Sequence, residues 1–248
     1  MIPSGEKWFD SPYYTLLYGH RCENDAAGTI DVLLDYLKIP KGNSVLDMAC
    51  GRGRHVFCLA EKGFHVTGYD LGVQNIAHAK QEAKRRNLTE NTRFAVHDMS
   101  FPFPTKDHAV VFNFFTSFGY GDSDNDHAQI IQYACDACQP GGMVVFDFLN
   151  AQRIQQELIP FEVKKIGSVL FTLRRWIENG FVFKEIQLVD GEKHATFLER
   201  VRLLTPDDFF RFFSSSGLHG IVFWGNFDAQ PFTADSPRLI AMAQKQTT

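Results

Sequence analysis

The stretch Val45-Leu-Asp-Met-Ala-Cys-Gly-Arg-Gly-Arg-His55 constrains the fold more than any other part of the chain. It begins as a short apolar run, ends in a turn with two glycines, and continues into the helical segment Val56-Phe-Cys-Leu-Ala-Glu-Lys62. The order strand, Gly-x-Gly, helix brings backbone N–H groups close to a ligand. Gly51 and Gly53 have no Cβ, so ligand atoms can lie against the main chain there. A second apolar run, Phe64-His-Val-Thr-Gly-Tyr69, ends in Asp70, nineteen positions after Gly51. In a βαβ unit that acid sits at the tip of the neighbouring strand, where it can accept both hydroxyls of a ribose.

A lone Gly-x-Gly also occurs in ordinary turns; the flanking strand and helix and the spaced acid are what point to a nucleoside. A dinucleotide site wants a third glycine three residues after the second, and that position is Val56. Asp47, just before the turn, repels a pyrophosphate but suits a ligand with an ammonium or sulfonium charge. S-adenosylmethionine carries both charges and no phosphate. The pattern Val-Leu-Asp-x-x-Cys-Gly-x-Gly-Arg-His with the later Gly-Tyr-Asp resembles class I S-adenosylmethionine-dependent methyltransferases. It looks most like small bacterial members with a later motif like Phe112-Asn-Phe-Phe-Thr-Ser-Phe-Gly-Tyr120.

That resemblance covers nearly the whole chain and implies an α/β fold: a Rossmann-like seven-stranded sheet flanked by helices. It implies that Gly51, Gly53 and Asp47 serve the amino-acid half of the cofactor. Asp70 and Leu71 then belong to the ribose end, and Asp98 and Met99 to the adenine. Asn113 and Phe114 open the loop beside the sulfonium, and Tyr14 and Tyr18 come from an N-terminal segment folded over the cofactor. S-adenosylmethionine is thus the expected cofactor and S-adenosylhomocysteine its product. Gly53→Leu is expected to block the site while leaving a folded protein.

Composition sets bounds. The 248 residues fit one domain with an insert, 44% hydrophobic and 22% charged, an ordinary globular balance. A net charge of −4 offers no basic excess for nucleic acid phosphates. The start reads as neither signal nor transit peptide, and no apolar run is long enough to span a bilayer. The five cysteines are expected as reduced thiols, which places the chain in the cytoplasm. The 24 phenylalanines read as core filling.

Along the chain, Glu23 to Lys38 and Val73 to Asn87 have helical apolar spacing, and Thr92–Val96 and Ala109–Phe112 read as strands. Asp98 follows a strand end, where its ordinary role would be a turn or cap. The loop from Asn113 to Gly121 falls at the switch point of such a sheet, where ligands bind. It lacks Asn/Asp-Pro-Pro-Tyr/Phe and a Pro-Cys pair, and so resembles enzymes acting on small metabolites more than on nucleic acid. His20 and Tyr120 are the candidates for taking a proton, and Arg21, Ser117, Tyr120 and Asn150 for touching substrate. Asp122–Asp126 reads as an acidic helix start and Cys135-x-x-Cys138 as helical thiols; no metal site is expected. The next strand is expected over Met143–Leu149.

From 161 to 204 the period changes to two, with hairpin signals at Asn179-Gly180 and Asp190-Gly191. The resemblance implies that such an antiparallel insert walls or lids the substrate pocket; its other reading is a packing or homodimer surface. A helix from Thr205 and strands Leu218–Trp224 and Pro237–Ala243 close the chain. Two other classes stay open: a nicotinamide-dependent oxidoreductase on a similar sheet, and a non-catalytic relative that works by binding.

Overall fold

The computed structural model describes residues 8–19 and 23–247, with the side chains of 23–25 left aside. Two sheets form. The larger contains β1 (Ser44–Asp47), β2 (His65–Asp70), β3 (Thr92–Val96), β4 (His108–Asn113), β5 (Cys138–Leu149), β10 (Leu218–Trp224) and β11 (Arg238–Lys245). Its order is β10-β11-β5-β4-β1-β2-β3, with β11 antiparallel to both β5 and β10 and the other pairs parallel. The chain leaves β1 toward β2 and β3, then returns to β4 and continues toward β5. The switch point therefore lies between the carboxyl ends of β1 and β4.

Helices cover both faces because the parallel strands are apolar on both. On one face α2 (Glu23–Leu37), α3 (Arg54–Glu61) and α4 (Val73–Arg85) bury Ile30, Leu33, Val56, Leu59, Ile76 and Ala79. On the other, α5 (Asp124–Ala137) and α7 (Pro206–Ser215) bury Ile130, Ile131, Phe209, Phe212 and Phe213. Each such phenylalanine removed from water contributes about 1.5–3 kcal/mol. Thr205 caps α7, its hydroxyl and the Asp208 carboxylate bonding reciprocally.

Two boundaries differ from expectation. The helix α5 begins at Asp124, because Ser123 and Asp126 form a capping box. It ends at Ala137, and Cys138 already belongs to β5, which runs through Gln139-Pro-Gly-Gly to Leu149. The cysteine pair thus straddles a helix end. The four described cysteines, Cys50, Cys58, Cys135 and Cys138, are free and buried.

The second sheet is β6 (Phe161–Ile166), β7 (Val169–Glu178), β8 (Phe181–Asp190) and β9 (Lys193–Arg202), antiparallel in chain order. Its inner face packs Phe171, Leu173, Ile186, Leu188 and Phe197 against Trp8 and against Leu17 of α1 (Pro12–Tyr18). The short helix α6 (Ala151–Glu157) leads into it. At its far end, Arg202 N–H donates to Gly119 O at 2.8 Å, which ties this sheet to the loop after β4. Among the described residues no helix is long and apolar enough to cross a membrane, and no cluster of His, Cys, Asp or Glu could hold a metal ion.

Candidate functional site

The glycine turn joins β1 to α3 at the switch point. Gly51 and Gly53 both have positive φ, 54° and 90°, the region that favours glycine. Their surroundings differ. A Cβ on Gly51 would meet open space, so its main chain faces the cleft. A Cβ on Gly53 would sit 2.9 Å from the Phe57 ring and 3.2 Å from Phe94. Gly53 is therefore held to glycine by packing under the turn, and Gly53→Leu would strain the fold itself rather than only block a ligand.

Asp47 ends β1 and is fully buried. Its Oδ1 accepts a long bond from Ala49 N–H at 3.4 Å, and its Oδ2 has no partner. Burial, against that bond, pushes its carboxyl up from 3.8 to about 7. Asn113 ends the neighbouring β4, equally buried; its Nδ2 reaches the Met99 sulfur at 4.0 Å and its Oδ1 has no partner. In the turn, Arg52 Nε is also buried and unpartnered. Buried polar atoms without partners are costly, so a cleft with two such acceptors on adjacent strand ends fits a ligand that brings N–H donors and positive charge.

Asp70 is differently placed. Its Oδ2 accepts Gly51 N–H at 2.9 Å, and its Oδ1 accepts Gly72 N–H at 2.8 Å and Asn75 Nδ2 at 3.2 Å. Burial raises its pKa, and the bonds from Gly72, Asn75 and Gly51 oppose that shift. The acid thus fastens the glycine turn to the β2 tip. Leu71, next to it, is exposed. Asp98 makes an Asx turn past β3, its Oδ1 accepting Ser100 N–H at 2.9 Å and Ser100 O–H at 2.7 Å. Its other oxygen has no hydrogen bond among the described residues. Met99 packs against the core beneath.

The loop after β4 departs from expectation. Phe114 is 2% exposed, stacked between His55 at 4.2 Å and Phe112 at 4.9 Å. Its ring belongs to the core rather than to a ligand surface. Burial drives the His55 imidazole down to about 3, so it packs as a neutral ring. Ser117 Oγ donates to Phe114 O at 2.8 Å. Tyr120 is exposed, its ring edge-on to Phe9 at 5.2 Å. Asn150 stands at the tip of β5 but is wholly occupied: its Oδ1 caps α6 and its Nδ2 donates to the carbonyls of Thr233, Ala234 and Ser236. It has nothing left for a substrate.

The N-terminal segment crosses the same edge. Asp10 accepts Gln74 N–H at 3.0 Å and Asn75 N–H at 2.9 Å, capping α4, and Asn75 Nδ2 donates to Phe9 O as well as to Asp70. Tyr14 lies among Trp8, Phe9 and Tyr18. The Tyr18 hydroxyl donates to Glu199 on β9 and receives Lys184 of β8, so Tyr18 faces the second sheet. His20 and Arg21 lie outside the described residues. Arg52, Asn75 and Asp10 were not anticipated: Arg52 is the unspecified middle of Gly-x-Gly, and the other two act through contacts between distant segments.

A cavity of about 430 Å³ opens at the opposite edge of the sheet, lined in part by Tyr36, Asn43, Gln139, Gly141 and Gln244. Among the described residues no buried unpartnered group faces it, whereas the carboxyl edge carries three.

Residues 45–142 match the family model described as a methyltransferase domain. A ubiquinone biosynthesis O-methyltransferase from Psychrobacter arcticus is 31% identical over 109 residues, 44% of this chain and 42% of that one. An N,N-dimethyltransferase of dTDP-3-amino-3,4,6-trideoxy-α-D-glucopyranose from Streptomyces venezuelae is 28% identical over 135 residues, 54% of each chain. The chain thus spans about half the length of the curated relatives it matches. A crystal structure of an S-adenosylmethionine-dependent methyltransferase from Clostridium acetobutylicum superposes with a TM-score of 0.79 at 17% identity, covering 94% of this chain and 96% of that one. The fold is that of S-adenosylmethionine-dependent methyltransferases, and residues 45–142 carry the methyltransferase-domain match.

Proposed function

We propose that this chain is an S-adenosylmethionine-dependent methyltransferase acting on a small molecule. The observation that carries this reading is the pair of buried, unpartnered acceptors, Asp47 Oδ2 and Asn113 Oδ1, at the switch point beside the open face of Gly51. They suit the ammonium of the cofactor's amino-acid half, and Asp47 ionises as that charge arrives. The Asp70 carboxylate at the β2 tip suits the ribose hydroxyls. By resemblance Asp98 and Met99 take the adenine.

When bound, S-adenosylmethionine supplies a methyl group on a positively charged sulfur. The chain's own task is then to align the acceptor and exclude water. Tyr14 and the Phe9–Tyr120 contact close the N-terminal side, and the second sheet walls the cleft where Arg202 meets Gly119. Tyr120 is the candidate proton acceptor. The relatives methylate a hydroxyl in one case and an amine in the other by name, which supports small amines and hydroxy compounds as substrates here. Free, buried thiols fit a reducing compartment such as the cytoplasm.

The test is transfer of a labelled methyl group from S-adenosylmethionine to a panel of small amines, hydroxy compounds and acidic metabolites. Transfer to one of them in the wild type, lost in Asp47→Ala, is the expected result. Binding of the cofactor with no transfer to any member would favour a non-catalytic role.

A further inference from the structure

We propose that Asp147 and Arg238 are positioning residues that hold the Phe115–Thr116 turn in a strained backbone form and thereby fix the floor of the cleft. This rests on the reading of that cleft as an S-adenosylmethionine site. Phe115 and Thr116 have φ of 61° and 58°, and Ser117 N–H bonds back to Phe114 O at 3.3 Å. Two positive φ values in the central seats are the signature of a type I′ turn, whose seats favour Asn-Gly. The same chain fills the β7–β8 hairpin turn that way, with Asn179 at 49° and Gly180 at 76°. In the loop after β4 the seats hold an aromatic and a β-branched residue, for which positive φ is an outlier. Such a backbone persists only where its surroundings over-determine it.

Here one carboxylate and one guanidinium do so. Asp147, 1% exposed in the apolar run of β5, accepts Phe115 N–H on Oδ2 at 2.8 Å, and its main-chain oxygen accepts Thr116 N–H at 2.9 Å. Arg238 on β11 donates from Nε to Asp147 Oδ1 at 2.7 Å and from Nη2 to Thr116 Oγ1 at 3.2 Å, with Nη2 also 2.6 Å from Asp147 Oδ1 in the ion pair. The Arg54 and Arg238 guanidinium groups lie 4.5 Å and 5.7 Å from the Phe115 ring centroid. The turn directly follows Asn113 and Phe114. Relaxing it to ordinary φ values would pull Phe114 off His55 and move the Asn113 amide, whose Oδ1 has no partner.

The experiment compares wild type, Asp147→Asn, Thr116→Gly and the double variant, by amide exchange without ligand and by calorimetric titration with S-adenosylhomocysteine. Asparagine offers one acceptor where donors converge on both oxygens. In Asp147→Asn the amides of 113–118 are expected to exchange about tenfold faster or more while those of β1 and β4 keep wild-type rates. The affinity is expected to fall about tenfold or more. Thr116→Gly alone changes affinity by less than about threefold, yet in the Asp147→Asn background it restores most of the loss, because glycine takes positive φ freely. Should Asp147→Asn fail to fold, Arg238→Lys, which keeps the charge and loses the fork, is expected to show the same pattern and the same rescue. Unchanged exchange at 113–118, or no rescue by glycine, overturns the proposal. Failure of the wild type to bind S-adenosylhomocysteine overturns the cofactor reading and with it the positioning role, and shows before any substitution is made.

Discussion

Asp47 and Asp70 end neighbouring strands yet meet opposite conditions: three donors hold Asp70, while one oxygen of Asp47 has none. A carboxyl pushed up to about 7 by burial is half protonated near neutrality. Since an ammonium ligand prefers the ionised form, binding releases a proton, and S-adenosylhomocysteine affinity is expected to rise with pH between about 6 and 8. Asp47→Asn should lower affinity by about tenfold or more at pH 8 and flatten that pH dependence. Titrations in buffers of different ionisation enthalpy check both; a pH-independent wild type would show that Asp47 does not meet the ammonium. Asn150→Ala, in contrast, should cost about 0.5–2 kcal/mol of stability through the lost cap while leaving affinity within about threefold. Asp47 stood out in sequence as a candidate because it sits between an apolar run and the glycine turn. Asn150 was misread because a strand-tip position does not reveal that Thr233, Ala234 and Ser236 occupy its amide. The inward course of the Phe114 ring was not legible, because the strained turn that follows it is unmarked by glycine or asparagine.

Elements whose signals are local matched their reading. The Asn179-Gly180 hairpin and the Thr205 helix start follow from residues within a few positions of each other. The start of β5 did not, because Gln139-Pro-Gly-Gly reads as a break. Pairing with β4, across a register shift between His108 and Val110, nonetheless draws Cys138 into the sheet. The cap of α4 is likewise supplied from far away: Gly72 has no side chain to offer, and Asp10 fills the role. Asp10→Ala should therefore lower stability by about 0.5–2 kcal/mol. Because Asn75 joins Phe9 to Asp70, it should also weaken S-adenosylhomocysteine binding, and chemical denaturation with calorimetry would separate the two effects. Unchanged affinity would mean that the N-terminal segment does not support the ribose acid.

At the scale of the molecule, the α/β order was legible because parallel strands must alternate with helices, and the glycine turn fixes which strand comes first. The tie between the second sheet and the loop after β4 was not, since it rests on contacts between distant segments: Arg202 N–H to Gly119 O, and the Arg200 guanidinium to the carbonyls of Tyr120 and Gly121 and to Asp122. Buried histidines set the acid limit of the whole fold. Burial lowers His55 to about 3 and His108 to about 4, and lowers His127 as well. Between those values and the unfolded value of 6.5 the unfolded chain binds more protons, so stability falls as pH drops through that window. Asp47 opposes this, because its raised pKa makes the folded state the better proton binder between 3.8 and about 7. Asp70, also raised by burial, opposes it in the same direction; with three imidazoles against these two carboxyls, the melting temperature is expected to be higher at pH 7.5 than at pH 5, and the reverse order would contradict the burial assigned to them. The most direct test of the cofactor claim is calorimetric titration of folded, ligand-free protein with S-adenosylhomocysteine, with NADH alongside. Micromolar binding of the first and none of the second is predicted. NADH binding alone would assign the cleft to a nicotinamide cofactor, and no binding of either would contradict a nucleoside site at the glycine turn.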